Sequence, residues 1–182
     1  SDLMGHVNKT DKLDASGLTT LLRLGSLPSV WLPSAELRDQ RELPRTRMAL
    51  CAWRTRIKNR IHSTLAKYAL SPEDGSTLFS QRGRAWLDSA LSSLPPETGR
   101  CLTQELKLLD YLSDQISQLE ARIRAQIALT PTMQLLKTVP GVGDMLSIVI
   151  EREVGAITRF PSAPQFSSYS GTTPRVSSSG GK

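Results

Sequence analysis

The sequence predicts a mainly α protein, and three observations carry the prediction. Between residues 45 and 70 the apolar side chains Leu50, Trp53, Ile57, Ile61 and Leu65 recur every three or four positions, the period of an amphipathic helix. From about 99 to 129, Leu102, Leu106, Leu109, Leu112, Ile116, Leu119, Ile123 and Ile127 alternate threes and fours, close to a heptad seam. Prolines and glycines then punctuate the chain at the places where one helix must end and the next begin.

In chain order, Thr10 can cap a helix from Asp11 to Leu24, with Leu18, Leu21 and Leu22 on one side and Gly25 placed to end it. Pro28 and Pro33 bracket a loop. Ser34 can then cap a short helix that Pro44 kinks or stops, and the basic helix follows from Arg45 to Leu70 with Trp53 in its core stripe. Pro72, Gly75, Gly83, Pro95, Pro96 and Gly99 mark 71–99 as a loop-rich connector with one short helix around Trp86 and Leu91. The long seam helix ends at Pro131. Beyond it a short apolar helix at Leu135 and Leu136 meets the tight turn Val139-Pro140-Gly141-Val142-Gly143. A second apolar helix, with Met145, Ile148, Val149 and Ile150, ends at Gly155, completing a helix-hairpin-helix pattern. Phe160, Phe166 and Tyr169 offer packing before a Ser/Gly-rich end.

With 182 residues, only 38% of them hydrophobic and 5% aromatic, the core is modest and aliphatic. No run approaches the ~20 apolar residues of a membrane span, and the start, SDLMGHVNKTDKLDAS, has no apolar segment of the signal-peptide kind. Cys51 and Cys101, with only His6 and His62 besides, spell out neither a zinc site nor a disulfide framework, so a reducing cytoplasm fits best. The formal charge of +6 is concentrated: Arg38 to Lys67 holds nine basic residues against Asp39 and Glu42, an excess of +7, so the rest is about neutral. Such a block makes nucleic acid the first partner to consider. The chain opens on Ser1 and closes in a Ser/Gly run, so both ends look cut from something longer.

Four groups of residues could carry chemistry. Asp11 and Asp14, at i and i+3, share one helical face and are donors that a hard divalent cation accepts; on spacing alone, though, the simpler reading is that Asp11 favours the helix N-terminus and Asp14 pairs with a lysine. Arg45, Arg47, Arg54, Arg56, Lys58 and Arg60 can meet phosphates, giving affinity without sequence readout, or form a solvated helix face. Gly141 and Gly143 let backbone N–H groups at a helix N-terminus approach a phosphate, or make a plain helix-helix turn. Ser177, Ser178 and Ser179 have no base at a telling distance, and on composition alone read as a linker.

Taken together in this order, the strings resemble the insertion-sequence transposases of the one-hundred-ten type, also called DEDD transposases. NKTDKLDA at 8–15 is similar to the family's Lys-Thr-Asp-x-x-Asp-Ala motif, and RTRIKNRIHSTL at 54–65 to its basic helix before the coiled coil. LLKTVPGVG at 135–143, EVGAITRF at 153–160 and YSGTTPRVSSSGG at 169–181 resemble its PGxG hairpin, its Glu-x-Gly stretch and its serine motif. The resemblance implies the tail of a RuvC-like domain over 1–25, a basic and coiled-coil connector over 26–130, and the head of a serine transposase domain over 131–182. It implies Asp11 and Asp14 as Mg2+-binding acids, Ser179 as the nucleophile with Ser178 as the alternative, and DNA cleavage and rejoining as the chemistry. It also implies a structured guide RNA and a homo-oligomer through the coiled coil, dimer or tetramer. The family's first Asp and its Glu have no counterpart before Asp11, so this chain by itself is expected to be inactive in strand transfer. The alternative is a nucleic-acid-binding, dimerising helical module without chemistry.

Overall fold

The computed structural model describes residues 11–27, 30–72, 75 and 77–173. Seven α-helices and two short 3-10 turns make up its regular structure, with no strand among the described residues. Two compact units divide at 34/35.

The first unit holds α1 (Asp11–Arg23), which stops where the sequence requires. Gly25 takes φ +63°, its N–H reaches Leu22 O at 3.1 Å, and Ser26 N reaches Leu21 O at 3.0 Å. This is the left-handed glycine closure of a helix C-terminus. Leu18, Leu21 and Leu22 are all solvent-exposed. Thr10, the expected cap, lies outside the described residues.

The second unit is built on two long helices, α2 (Ala35–Lys67) and α4 (Pro96–Gln126). Rising positions on α2 meet falling positions on α4: Arg47 pairs with Glu120, Arg60 with Glu105, and the Tyr68 hydroxyl lies 3.1 Å from Thr98 Oγ1, so the pair is antiparallel. Leu102, Leu106, Leu109, Leu112, Ile116 and Ile123 of the heptad-like seam are buried, as the spacing requires. Between them in sequence, α3 (Gln81–Ala90) and a 3-10 turn (Leu91–Ser93) close one end of the pair. There Ile61, Leu65, Leu78, Leu87, Leu94, Leu102, Leu106 and Leu109 form one core. Each fully buried Leu or Ile stabilises the fold by roughly 1.5–3 kcal/mol relative to exposure.

Two sequence expectations are corrected. Pro44 neither ends nor separates a helix: α2 runs through it. A mid-helix proline forfeits one backbone hydrogen bond and crowds the preceding turn, yet here Arg41 on one side and Arg45 on the other are both fastened to the end of α6, so the helix is held across the defect. Trp53 is not in the core stripe; it is 53% exposed. Each four-residue step over-rotates by about 40°, so Trp53 sits about 80° from Ile61 and leaves the face that holds Ile61 and Leu65.

At the other end of α2 and α4 lie α5 (Pro131–Leu136) and α6 (Asp144–Val154). Thr130 caps α5, its Oγ1 accepting from Met133 N at 3.1 Å and donating to Glu151 Oε1 at 2.5 Å, which pins α5 to α6. Ile123, Met133 and Ile148 form a second core, with Leu43, Ile127, Leu129 and Met145 packed against it. A 3-10 turn (Ile157–Arg159) and α7 (Ala163–Ser170) follow, where Phe160, Phe166 and Tyr169 pack ring on ring and the Arg159 guanidinium sits 4.0 Å from the Phe160 centroid.

Candidate nucleic-acid interface

No acidic residue occurs between Glu42 and Glu73, so the seven cations in that interval must find partners outside their own helix or face solvent. The structure divides them. Arg45 makes a two-pronged contact with Glu153, Nε to Oε1 at 2.6 Å and Nη2 to Oε2 at 2.7 Å. Arg47 donates twice to Glu120 Oε1, at 2.9 and 2.6 Å, and Arg60 pairs with Glu105. Arg54, Arg56 and Lys67 make no ion pair among the described residues, and Lys58 Nζ stands 4.8 Å over the Phe79 ring. The cations left for a polyanion are therefore Arg54, Arg56 and Lys58, with Lys67 further along.

Arg41 is a structural anchor of this helix that the sequence did not single out. It is buried, donating from Nε to Arg152 O at 2.8 Å and from Nη2 to Glu153 O at 2.9 Å, with Glu153 Oε2 at 3.8 Å. Carbonyls at a helix C-terminus lack helical donors and carry the negative end of the dipole, so a guanidinium there satisfies both needs. Tyr169 Oη also donates to Glu153 O, at 2.9 Å. The only sequence signal was the acid-free run itself, which says that acceptors come from afar but not which ones.

The Arg45 hydrogen bond, reinforced by its charge and that of Arg41, holds the Glu153 carboxyl below its ordinary range against the opposing effect of partial burial. Arg47 does the same for Glu120, with help from Arg124. A carboxyl with a lower pKa folded than unfolded adds stability that is complete above the unfolded value and vanishes as the pH falls through the folded one. Urea unfolding midpoints are thus expected to drop as the pH passes below about 4.3. Glu153→Gln should lower the midpoint at neutral pH and flatten that acid limb; an unchanged limb would mean the Arg45 contact does not form.

The hairpin has the geometry that its residues require. Val142 N reaches Val139 O at 3.0 Å across Pro140-Gly141, and Gly141 has φ +89°, which makes a type II turn with glycine at the position that needs it. Gly143 precedes α6 with extended backbone, and a Cβ at either glycine would meet open space. Arg47 and Arg124 border a groove with Gly143 and Met145, while Asp144 in the first turn of α6 pairs with Lys137 at 2.6 Å.

Asp11 and Asp14 lie in the exposed first turn of α1, on one face. Among the described residues no three His, Cys, Asp or Glu groups converge as a metal site would need, so these two carboxylates do not enclose a cation by themselves. Ser177, Ser178 and Ser179 lie outside the described residues. Among those residues, no helix is long and apolar enough to cross a membrane.

Comparison with known proteins follows the same order along the chain. A family model of the DEDD type from the IS110 group, described as "Transposase", matches residues 1–70. A second, described as "Transposase IS116/IS110/IS902 family", matches residues 133–182. The chain is 28% identical over 178 residues to the transposase for insertion sequence element IS1328 of Yersinia enterocolitica, covering 96% of the chain and 52% of the relative. It is 29% identical to the transposase for IS1111A of Coxiella burnetii, covering 96% and 48%, and 28% identical to a probable family 20 transposase of Pseudomonas aeruginosa, covering 96% and 53%. The chain thus spans about half the length of these curated relatives. No solved structure matches it.

Proposed function

The chain belongs to the IS116/IS110/IS902 family of transposases, and from this we propose that it serves transposition of an insertion sequence by DNA strand cleavage and rejoining. The observation that carries the binding half of this reading is that, among the described residues, Arg54 and Arg56 on α2 make no ion pair and stand next to Lys58. A phosphate backbone supplies the missing anions.

In this reading 1–25 ends a RuvC-like domain, 26–130 is the basic connector, and 131–182 begins the serine domain. Asp11 and Asp14 would contribute two carboxylates to a Mg2+ site completed by other donors, where the ion's charge would offset that of the reacting phosphate. Ser179 Oγ, or Ser178 Oγ, would bond to a DNA phosphorus as the P–O bond to the leaving strand breaks, the serine proton going to a base and the leaving oxygen gaining one. Gly141 and Gly143 would admit a phosphate to the hairpin. A structured guide RNA, a homo-oligomer joined through outward faces of the α2–α4 pair, and a cytoplasmic site of action complete the proposal.

The test has two readings. Affinity for a DNA duplex, followed against salt, is expected to fall steeply, and replacing Arg54, Arg56 and Lys58 together by alanine should reduce the log–log slope by roughly two to three. A serine nucleophile predicts a protease-sensitive covalent adduct with nicked DNA that Ser179→Ala abolishes. Binding without an adduct favours a non-catalytic module, the second reading, which the solvent-exposed carboxylate pair also suits. No binding at ~50 mM salt, where phosphate contacts are strongest, would sink both.

A further inference from the structure

We propose that the outer flank of α2 is a stacking site for an unpaired base, with Trp53 as the platform and Arg56 as the adjacent phosphate contact. The inference rests on the nucleic-acid-binding reading above and narrows it to single-stranded nucleic acid.

Trp53 is the starting point. A tryptophan 53% exposed on a long helix keeps a large apolar face in water. One turn before it on the helix lie Ala49, which is small, and Leu50, which is half-buried, and beside them the indole keeps its exposure. On the C-terminal side Arg56 and Arg60 follow at i+3 and i+7, which places all three on one face. Arg60 is held by Glu105, whereas Arg56 makes no ion pair among the described residues. An exposed aromatic ring beside unpaired cations, on a segment with no acid from 43 to 72, is complementary to a base and its phosphate. A duplex hides its base faces in the stack and offers Trp53 nothing to lie against. A single strand offers a π-face with every nucleotide, whatever its sequence.

The neighbouring tryptophans do not share this environment. Trp86 is partly buried against the α2–α4 core, and Trp31 lies outside the long helices. Aromatic stacking is therefore assigned to Trp53 alone among them.

The experiment measures polarisation of labelled dT15, rU15 and a 15-base-pair duplex with the 182-residue chain, across a range of salt. Trp53→Ala is expected to weaken dT15 or rU15 binding about tenfold, the lower part of what one stacked base contributes, with the salt slope and duplex affinity unchanged. Trp53→Phe should recover part of the loss. Arg56→Ala should weaken both forms and reduce the slope by about one. Because Trp53 faces solvent, the variant should keep its helical circular dichroism. Equal use of dT15 and rU15 assigns the site to single strands generally; a preference assigns it to one of them. If Trp53→Ala leaves both single strands within twofold of wild type, or weakens the duplex equally, the stacking site is wrong while backbone binding stands. If no nucleic acid binds the unaltered chain, both readings fall together.

Discussion

Replacing Arg41 by alanine should lower the stability of the second unit by about 3 kcal/mol, and the loss should concentrate in α5 and α6. The Arg41 side chain is 6% exposed and gives directed hydrogen bonds to Arg152 O and Glu153 O, the carbonyls at which α6 ends. Without it, a cation-sized space opens, Arg152 O loses its side-chain donor and Glu153 O keeps only the Tyr169 hydroxyl, at about 1–3 kcal/mol for a buried group left unpaired. Lysine cannot repair this, because one ammonium does not reproduce the planar fork that meets two carbonyls at once. Arg45 makes the shorter and more symmetrical contact with Glu153, yet it is 51% exposed and screened by water, so Arg45→Ala is expected to cost less than about 1 kcal/mol. Burial outranks bond length here. Urea unfolding followed by circular dichroism gives the total, and hydrogen exchange of α6 amides gives its location. Arg41→Ala within about 0.5 kcal/mol of wild type would show that the buried guanidinium does not hold α6 to α2.

The helices were legible because their causes are local or periodic. Gly25, Gly141 and Gly155 sit where positive φ is needed, and the α4 seam buries the side chains its spacing points inward. What escaped the sequence was tertiary. Pro44 reads as a kink or a stop because proline damages a helix locally, and only the Arg41 and Arg45 contacts more than a hundred residues away reveal why α2 does not stop there. Trp53 reads as core because it falls four residues before Ile57, and the slow rotation of a four-residue row becomes visible only once Ile61 and Leu65 define the buried face. The basic block was legible as charge but not as a surface. Glu105, Glu120 and Glu153 lie on other helices, so which cations they engage depends on the antiparallel pairing of α2 with α4 and on where α6 ends. The same limit applies to Asp11 and Asp14: spacing puts them on one face, but a metal site needs further donors that a local pattern cannot supply.

Gly83→Ala offers the clearest case in which tertiary contact should overrule local propensity. In an isolated helix the change would stabilise by up to about 1 kcal/mol. In α3 a Cβ at this position would lie 2.3 Å from Thr77 O and 2.6 Å from both Leu78 C and Leu78 O. These are backbone atoms, which cannot swing aside as a side chain can, so the segment before α3 must retreat. Retreat breaks the cap in which Ser80 Oγ accepts from Gly83 N at 3.2 Å, and it draws Leu78 away from Leu87 in the core. Strain of about 1–3 kcal/mol and a lost cap of about 1 kcal/mol together outweigh the propensity gain, so a net loss of about 1–3 kcal/mol is expected. Gly17→Ala is the control, since a Cβ there meets nothing within 4 Å and should leave α1 as helical or more so. Thermal unfolding gives the sign, and near-ultraviolet circular dichroism reports on Trp86, which packs against the same core. If Gly83→Ala melts at or above the wild-type temperature, α3 does not dock on the Thr77-Leu78 backbone. Because that core also contains Ile61 and Leu65, the substitution should loosen the far half of α2 while leaving Arg41 and the α6 attachment in place, so the two variants are expected to loosen opposite ends of the second unit.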